Sequence, residues 1–148
     1  MPQQTQEEQL LQAWVTLSGI MKNNRVIASG PLVYNEAIVM LSVYKRYLLD
    51  GEGLTSVKDI ISETNMLKSL VNRTVNSLEK KGLILRFQGT LDKRTVFIKC
   101  VKEKLNVFME VHRVSLKVAG DIADIIGSED IGHFVRIVNK IEGSRYKI

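Results

Sequence analysis

Apolar residues recur along this chain at helical spacing, and the breaks between the runs divide it into short segments. Thr5 followed by Glu8 has the spacing of a reciprocal cap, and Leu10, Trp14, Leu17 and Met21 repeat every three or four residues behind it. This predicts a first helix over about residues 5–28. Gly30-Pro31 interrupts the chain, after which Ala37, Leu41, Tyr44 and Leu48 form the apolar stripe of a second helix, stopped by Asp50-Gly51-Glu52-Gly53. Thr55 or Ser56 caps a short third helix holding Val57, Ile60 and Ile61, and Thr64-Asn65 makes a turn, asparagine tolerating the left-handed conformation. A fourth helix begins near Met66.

In the fourth helix the two faces differ sharply. Leu67, Leu70, Val71, Val75 and Leu78 share one, while Ser69, Asn72, Arg73, Asn76 and Lys80 share the other, and Gly82 ends the element. The period then changes from helical to alternating. Leu85 and Phe87 alternate with Arg86 and Gln88, a turn follows over Gly89–Lys93, and Val96 and Ile98 alternate with Thr95, Phe97 and Lys99, which predicts a β-hairpin. A helical pattern resumes near Val101 and runs to Ile126 with two stripes, Leu105, Phe108, Ala119 and Ile122 on one and Val107, Val111, Val114, Val118 and Ile125 on the other. A rod of that length, roughly 39 Å, exceeds what a small core needs, so the second stripe is expected to meet another subunit. Gly127-Ser128 opens a last helix with Ile131, Phe134, Val135, Val138 and Ile141. The fold class expected is mostly α (α+β).

Composition changes this picture little. At 148 residues, 45% hydrophobic and 25% charged, the chain is an ordinary globular one, which excludes disorder, collagen-like repeats and disulfide scaffolds. Its longest unbroken apolar run, Ala37 to Leu41, is far short of a membrane span, and its start is polar and acidic, unlike a secretion signal. A cytoplasmic protein with no membrane partner is expected. A single cysteine, Cys100, leaves no intrachain disulfide and no cysteine-based metal cluster, and it is expected to be a small core residue.

Charge adds more. Between Lys58 and Lys104 lie eleven basic and five acidic residues, whereas the rest of the chain holds ten and eleven, so the net +5 is concentrated in the middle third. Such focusing suits a polyanionic partner. Two short helices across a tight turn followed by a basic hairpin describe a winged helix-turn-helix. A helix of about 10–12 Å diameter fits a major groove about 12 Å wide, and arginine and asparagine are the side chains that pair bidentately with guanine and adenine there. Arg73 is the candidate for guanine and Asn72 or Asn76 for adenine, while Ser69 and Lys80 are placed to hold phosphates, with Lys68 and Lys93 in the same DNA-binding set. At the hairpin tip, Asp92-Lys93-Arg94 lets a carboxylate brace the turn and aim a guanidinium into a narrow minor groove.

From Leu54 to Cys100 the sequence resembles the MarR family of dimeric winged-helix transcription regulators. The resemblance is carried by Val71, Arg73, Val75, Leu78, Glu79, Lys80, Lys81, Gly82, Leu83 and Ile84, followed about ten residues later by an aspartate-any-arginine wing motif at Asp92-Lys93-Arg94. It implies a helical dimerisation region built from residues 1–32 and 101–148 around a DNA-binding domain at 33–100. By the same resemblance Ser69, Asn72, Arg73 and Asn76 face the major groove, Arg94 enters the minor groove and Asp92 holds it. Two positions depart from the family pattern: Thr64 stands where an apolar residue usually closes the first helix, and Leu67 where a serine or aspartate usually caps the recognition helix. Asn65 is then the candidate cap.

The expected function is a homodimeric, sequence-specific DNA-binding transcription regulator, most simply a repressor, acting on double-stranded DNA at a pseudo-palindromic operator. The alternative is a winged-helix module that docks another protein without DNA, which the Ser, Asn, Arg and Lys face of the fourth helix disfavours. No enzyme is expected, because no phosphate loop, ligand cluster or nucleophile with a spaced base occurs. No metal or cofactor is expected either, since His112 and His133 lie on different helices. A small-molecule effector is admitted by the resemblance, with Trp14, Tyr34 and Tyr44 as candidate lining residues.

Overall fold

The computed structural model of the chain describes residues 2–23 and 30–144. Its first helix, α1 (Gln6–Asn23), is opened by the predicted reciprocal cap: the Thr5 amide donates to Glu8 Oε2 at 2.8 Å and the Glu8 amide to Thr5 Oγ1 at 3.3 Å. The remainder of the expected first helix, residues 24–28, lies outside the described residues. Helix α2 (Tyr34–Asp50) begins after the Gly30-Pro31 break and ends on Gly51, whose left-handed φ of 73° lets its amide reach the Tyr47 carbonyl at 2.8 Å.

Strand β1 (Thr55–Ser56) has no counterpart in the sequence reading. Helix α3 (Val57–Thr64) starts at Ser56, whose hydroxyl accepts the Asp59 amide at 3.0 Å while Asp59 Oδ2 accepts the Ser56 amide. Of the two candidate caps, Ser56 fills the role and Thr55 is instead buried in the strand. Asn65 then adopts φ 56° and closes α3, its amide bonding the Ile61 carbonyl. That corrects the expectation that Asn65 caps the next helix: one residue cannot end α3 in the left-handed conformation and begin α4 three positions later. Helix α4 (Lys68–Lys80) starts instead at Leu67, which has no side-chain cap.

Strands β2 (Ile84–Gln88) and β3 (Val96–Cys100) form the hairpin, in register from Ile84 opposite Cys100 to Gln88 opposite Val96. β1 pairs antiparallel with the other side of β3, giving the sheet order β1-β3-β2. Val101 continues extended and its amide bonds the Leu83 carbonyl, so the helix expected from Val101 is replaced by one 3₁₀ turn at Lys102–Lys104, then α5 (Leu105–Ile126). Helix α6 (Ser128–Gly143) follows.

The chain divides into two compact units, Met1–Ser115 and Leu116–Ile148, with the boundary inside α5. Within the first, Ala37, Val39, Met40 and Val43 of α2, Val57 and Ile60 of α3, Val71, Val75 and Leu78 of α4, Ile84, Ile98 and Cys100 of the sheet, and Phe108 and Val111 of α5 make one core. The buried pair on α5 takes one residue from each predicted stripe. Cys100 is buried as expected, its Sγ donating to the Glu52 carbonyl at 3.3 Å, and burial pushes its thiol pKa up. In the second unit, α6 leaves Phe134, Ile137, Val138 and Ile141 exposed on one stripe.

Candidate nucleic-acid interface

Helix α4 is held by its apolar side, and that decides what its other side can offer. Val71, Val75 and Leu78 are buried, as is Thr74, whose hydroxyl bonds the Leu70 carbonyl at 2.7 Å and so buries no unpaired polar group. Lys68, Ser69, Arg73, Asn76 and Lys80 are exposed on the opposite face, with Asn72 half-buried at its edge. Leu67, expected among the apolar residues, is 75% exposed, because as the cap residue it precedes the helical face.

The step from α3 to α4 is tight. Thr64, the departure from an apolar residue, places its hydroxyl between the Ile60 carbonyl, which accepts from it at 2.6 Å, and the Met66 amide, which donates to it at 3.3 Å. Its polarity is thereby spent on the backbone of the turn. Between α2 and α3, Ser42 of α2 donates to Glu63 of α3, whose other oxygen accepts from Arg46 Nη2 at 3.2 Å.

The wing is built by backbone bonds. The Gly89 amide meets the Thr95 carbonyl at 2.9 Å and the Thr95 amide meets the Asp92 carbonyl at 3.1 Å. A Cβ on Gly89 would stand 2.8 Å from the Asp92 carbonyl oxygen and 3.0 Å from the Phe97 ring, so only glycine fits that turn. Asp92 Oδ1 accepts the Arg94 amide at 2.9 Å and Oδ2 the Thr95 hydroxyl at 3.2 Å. The aspartate therefore braces the tip through the main chain, and the Arg94 guanidinium projects without a carboxylate of its own.

Cations in this region fall into two groups. Arg46, Lys81, Arg86, Lys99 and Lys102 each hold a carboxylate. Among the described residues, the other seven basic residues from Lys58 to Lys104 have no side-chain hydrogen bond or ion pair: Lys58 of α3, Lys68, Arg73 and Lys80 of α4, Lys93 and Arg94 of the wing, and Lys104 of the 3₁₀ turn. Exposed, unneutralised charge on a helix and a hairpin tip is chemically suited to displace counterions from a polyanion.

The candidate effector residues are dispersed. Tyr44 is half-buried, its ring centroid 5.2 Å from that of Phe108 and 5.6 Å from that of His112, with Tyr47 at 6.4 Å. Tyr34 begins the same helix ten residues earlier, about 15 Å away along the axis, and is exposed, as is Trp14 on α1. Among the described residues no group of three or more His, Cys, Asp or Glu could hold a metal ion, and no helix is long and apolar enough to cross a membrane.

One buried polar cluster escaped the sequence reading. Glu36 is 2% exposed at the start of α2 and binds Ser77 and Lys81 of the α4 C-terminal end. A signal existed: Glu36 stands one turn before Met40 and beside Ala37, a carboxylate in an apolar stripe, which requires a partner.

Residues 47–96 match the model of the MarR family. Solved structures share the fold over nearly the whole chain. A MarR family transcriptional regulator from Streptomyces coelicolor in complex with DNA is 15% identical, with a TM-score of 0.82 over 98% of this chain and 95% of that one. The transcriptional regulator BldR from Sulfolobus solfataricus is 21% identical, with a TM-score of 0.70 over 97% and 100%. BpsR from Bordetella bronchiseptica, whose DNA binding is regulated by 6-hydroxynicotinic acid, is 14% identical, with a TM-score of 0.74 over 96% and 98%.

Proposed function

We propose that this chain, whose residues 47–96 are a MarR-family winged helix-turn-helix, is a homodimeric, sequence-specific DNA-binding transcription regulator that represses by occluding a promoter. The observation that carries the reading is the gathering of five unpaired cations, Lys68, Arg73, Lys80, Lys93 and Arg94, on the exposed side of α4 and at the wing tip, where none of them is neutralised by a carboxylate. Arg73 reads guanine and Asn72 or Asn76 adenine in the major groove; Lys68, Ser69, Lys80 and Lys93 hold phosphates; Arg94 enters the minor groove from a tip that Asp92 keeps in shape. Residues 33–100 are the reading domain, and 1–32 with 101–148 the dimerisation region. The exposed apolar stripe of α6 and the exposed Leu10, Leu11, Trp14 and Val15 of α1 support an assembly that covers them.

A two-fold dimer with recognition helices one duplex turn apart, about 34–36 Å, demands a pseudo-palindromic operator. A cytoplasmic location follows from that target. A small-molecule effector is included in the proposal, with Tyr44 in its ring cluster and Tyr34 and Trp14 as more distant candidates; it acts by shifting population between spacings of the two reading domains.

The test is selection of bound fragments from genomic DNA, then titration of the selected duplex and a random duplex across salt. The expected result is selective binding that falls steeply with salt, the log–log slope scaling with the phosphates neutralised. A second reading, protein docking without DNA, draws on the exposed Leu85 and Phe87 of the wing. Absence of duplex binding even in dilute buffer would sink the first reading and leave the second.

A further inference from the structure

Glu36 sits in the first turn of α2, removed from water, and Leu32, Ala37 and Met40, near it in the chain, are buried as well. A carboxylate there is tolerated only if both oxygens are satisfied. They are: Oε1 accepts from Lys81 Nζ at 2.8 Å and from the Val33 amide at 3.0 Å, and Oε2 accepts from Ser77 Oγ at 2.9 Å. Lys81 Nζ donates a further bond to the Pro31 carbonyl at 2.9 Å. Residues 31–36 are thus tied to the last turn and C-cap of α4 by groups 41 to 50 positions apart in sequence.

The location gives these bonds a consequence beyond stability. The start of α4, at Leu67, has no side-chain cap, so directional restraint on the helix comes from its other end. Burial of Val71, Thr74, Val75 and Leu78 sets which face of α4 is turned outward, and leaves the finer roll of the helix to bonds with a fixed geometry. Charge-assisted hydrogen bonds depend on geometry and restrain roll strongly. Roll is what aims Asn72, Arg73 and Asn76, and bidentate base contacts tolerate little misdirection.

We infer that Glu36 is a positioning residue for base reading: through Ser77 and Lys81 it locks the C-terminal end of α4 to the start of α2. This rests on the DNA-binding reading above, and it separates from a stabilising role by what it does to specificity. The same lock stands at the junction proposed between dimerisation region and reading domain, so it also ties the aim of α4 to the path by which the chain enters that domain.

The experiment compares the full-length wild type with Glu36→Gln, Ser77→Ala, Lys81→Met and Lys81→Arg. Each is titrated at fixed salt with the genomically selected duplex and a random duplex of equal length, and each thermal midpoint is recorded. Glu36→Gln keeps every cation, so any loss it shows cannot be a lost phosphate contact by Lys81. Glu36→Gln and Lys81→Met should bind the selected duplex about tenfold more weakly while binding random duplex within about twofold of wild type. Lys81→Arg should recover most of that loss. In the free protein, amide exchange at the last turn of α4 and the first turn of α2 should accelerate together in Lys81→Met. Equal losses on both duplexes, or losses that merely track the thermal midpoint, would overturn the positioning role while wild-type DNA binding stands. Wild type that ignores both duplexes would instead remove the DNA-binding reading, and base positioning with it.

Discussion

Arg73 and Arg94 are both exposed and unpaired, yet they differ in what holds them. Arg73 stands on a helix whose opposite face is buried, whereas Arg94 stands on a turn held by the Asp92 carboxylate and two backbone bonds. Arg73→Ala or Asn72→Ala is expected to cost about 1–3 kcal/mol on the selected operator and relax preference at one base position. Arg94→Ala should weaken operator binding and reduce the salt slope by about 1 if its contact is mainly electrostatic. Titration of each variant on operator and random duplex checks both; equal losses for Arg73 on the two would contradict its reading role. Glu36 predicts a pH effect. Burial acts to raise its pKa, but the Lys81 ammonium, the Val33 amide and the Ser77 hydroxyl outweigh burial and hold it below the ordinary glutamate value. A folded pKa lower than the unfolded one contributes stability above about pH 4.3 that disappears as pH falls through the folded value. The acid limb of the stability curve should therefore flatten in Glu36→Gln, measured by denaturant unfolding between neutral and acid pH. At this scale the sequence displayed the outward polar face of α4, because helical spacing alone puts Asn72, Arg73 and Asn76 together. It concealed Glu36, whose partners are remote in the chain.

Among the elements, local signals and their outcomes agree wherever the signal is satisfied locally. The Thr5–Glu8 cap, the left-handed Asn65 and the Gly51 stop were all legible as residue types at fixed spacing, while the choice of Ser56 over Thr55, with Asp59 answering it, came from the structure. Strand β1 was not, because a two-residue strand draws its hydrogen-bonding partner, Phe97 and Ile98 of β3, from about 40 residues away. The start of α4 remains without a side-chain cap, and this predicts an easy gain. Leu67→Ser supplies an oxygen for an orphan amide and removes a side chain already 75% exposed, so stability should rise by about 1 kcal/mol. For a chain of this size that is a thermal midpoint increase of roughly 2–4 °C. Calorimetry reads it, and a fall in the midpoint would mean that Leu67 is covered in the assembled protein.

At the scale of the whole molecule, the unexplained feature is apolar surface. Phe134, Ile137, Val138 and Ile141 share a stripe on α6, each between 45% and 50% exposed. The proposed dimer accounts for it. Val138→Glu places a charge in that stripe, and the expected outcome is a monomer by analytical ultracentrifugation with loss of operator binding but retained weak, salt-sensitive affinity for any duplex. A variant that stays dimeric would move the interface elsewhere. The predicted rod from Val101 to Ile126 is shortened to Leu105–Ile126, because Val101 is held extended by the Leu83 carbonyl and a 3₁₀ turn intervenes.

Periodicity, caps and charge determined the order of the helices and the hairpin, the two-faced fourth helix and the basic wing, since each depends on residues only a few positions apart. Tertiary structure decided the rest. Which cations stay unpaired, where β1 finds its partner and how Glu36 grips the end of α4 all depend on groups brought together across tens of residues, and no local pattern encodes such a meeting.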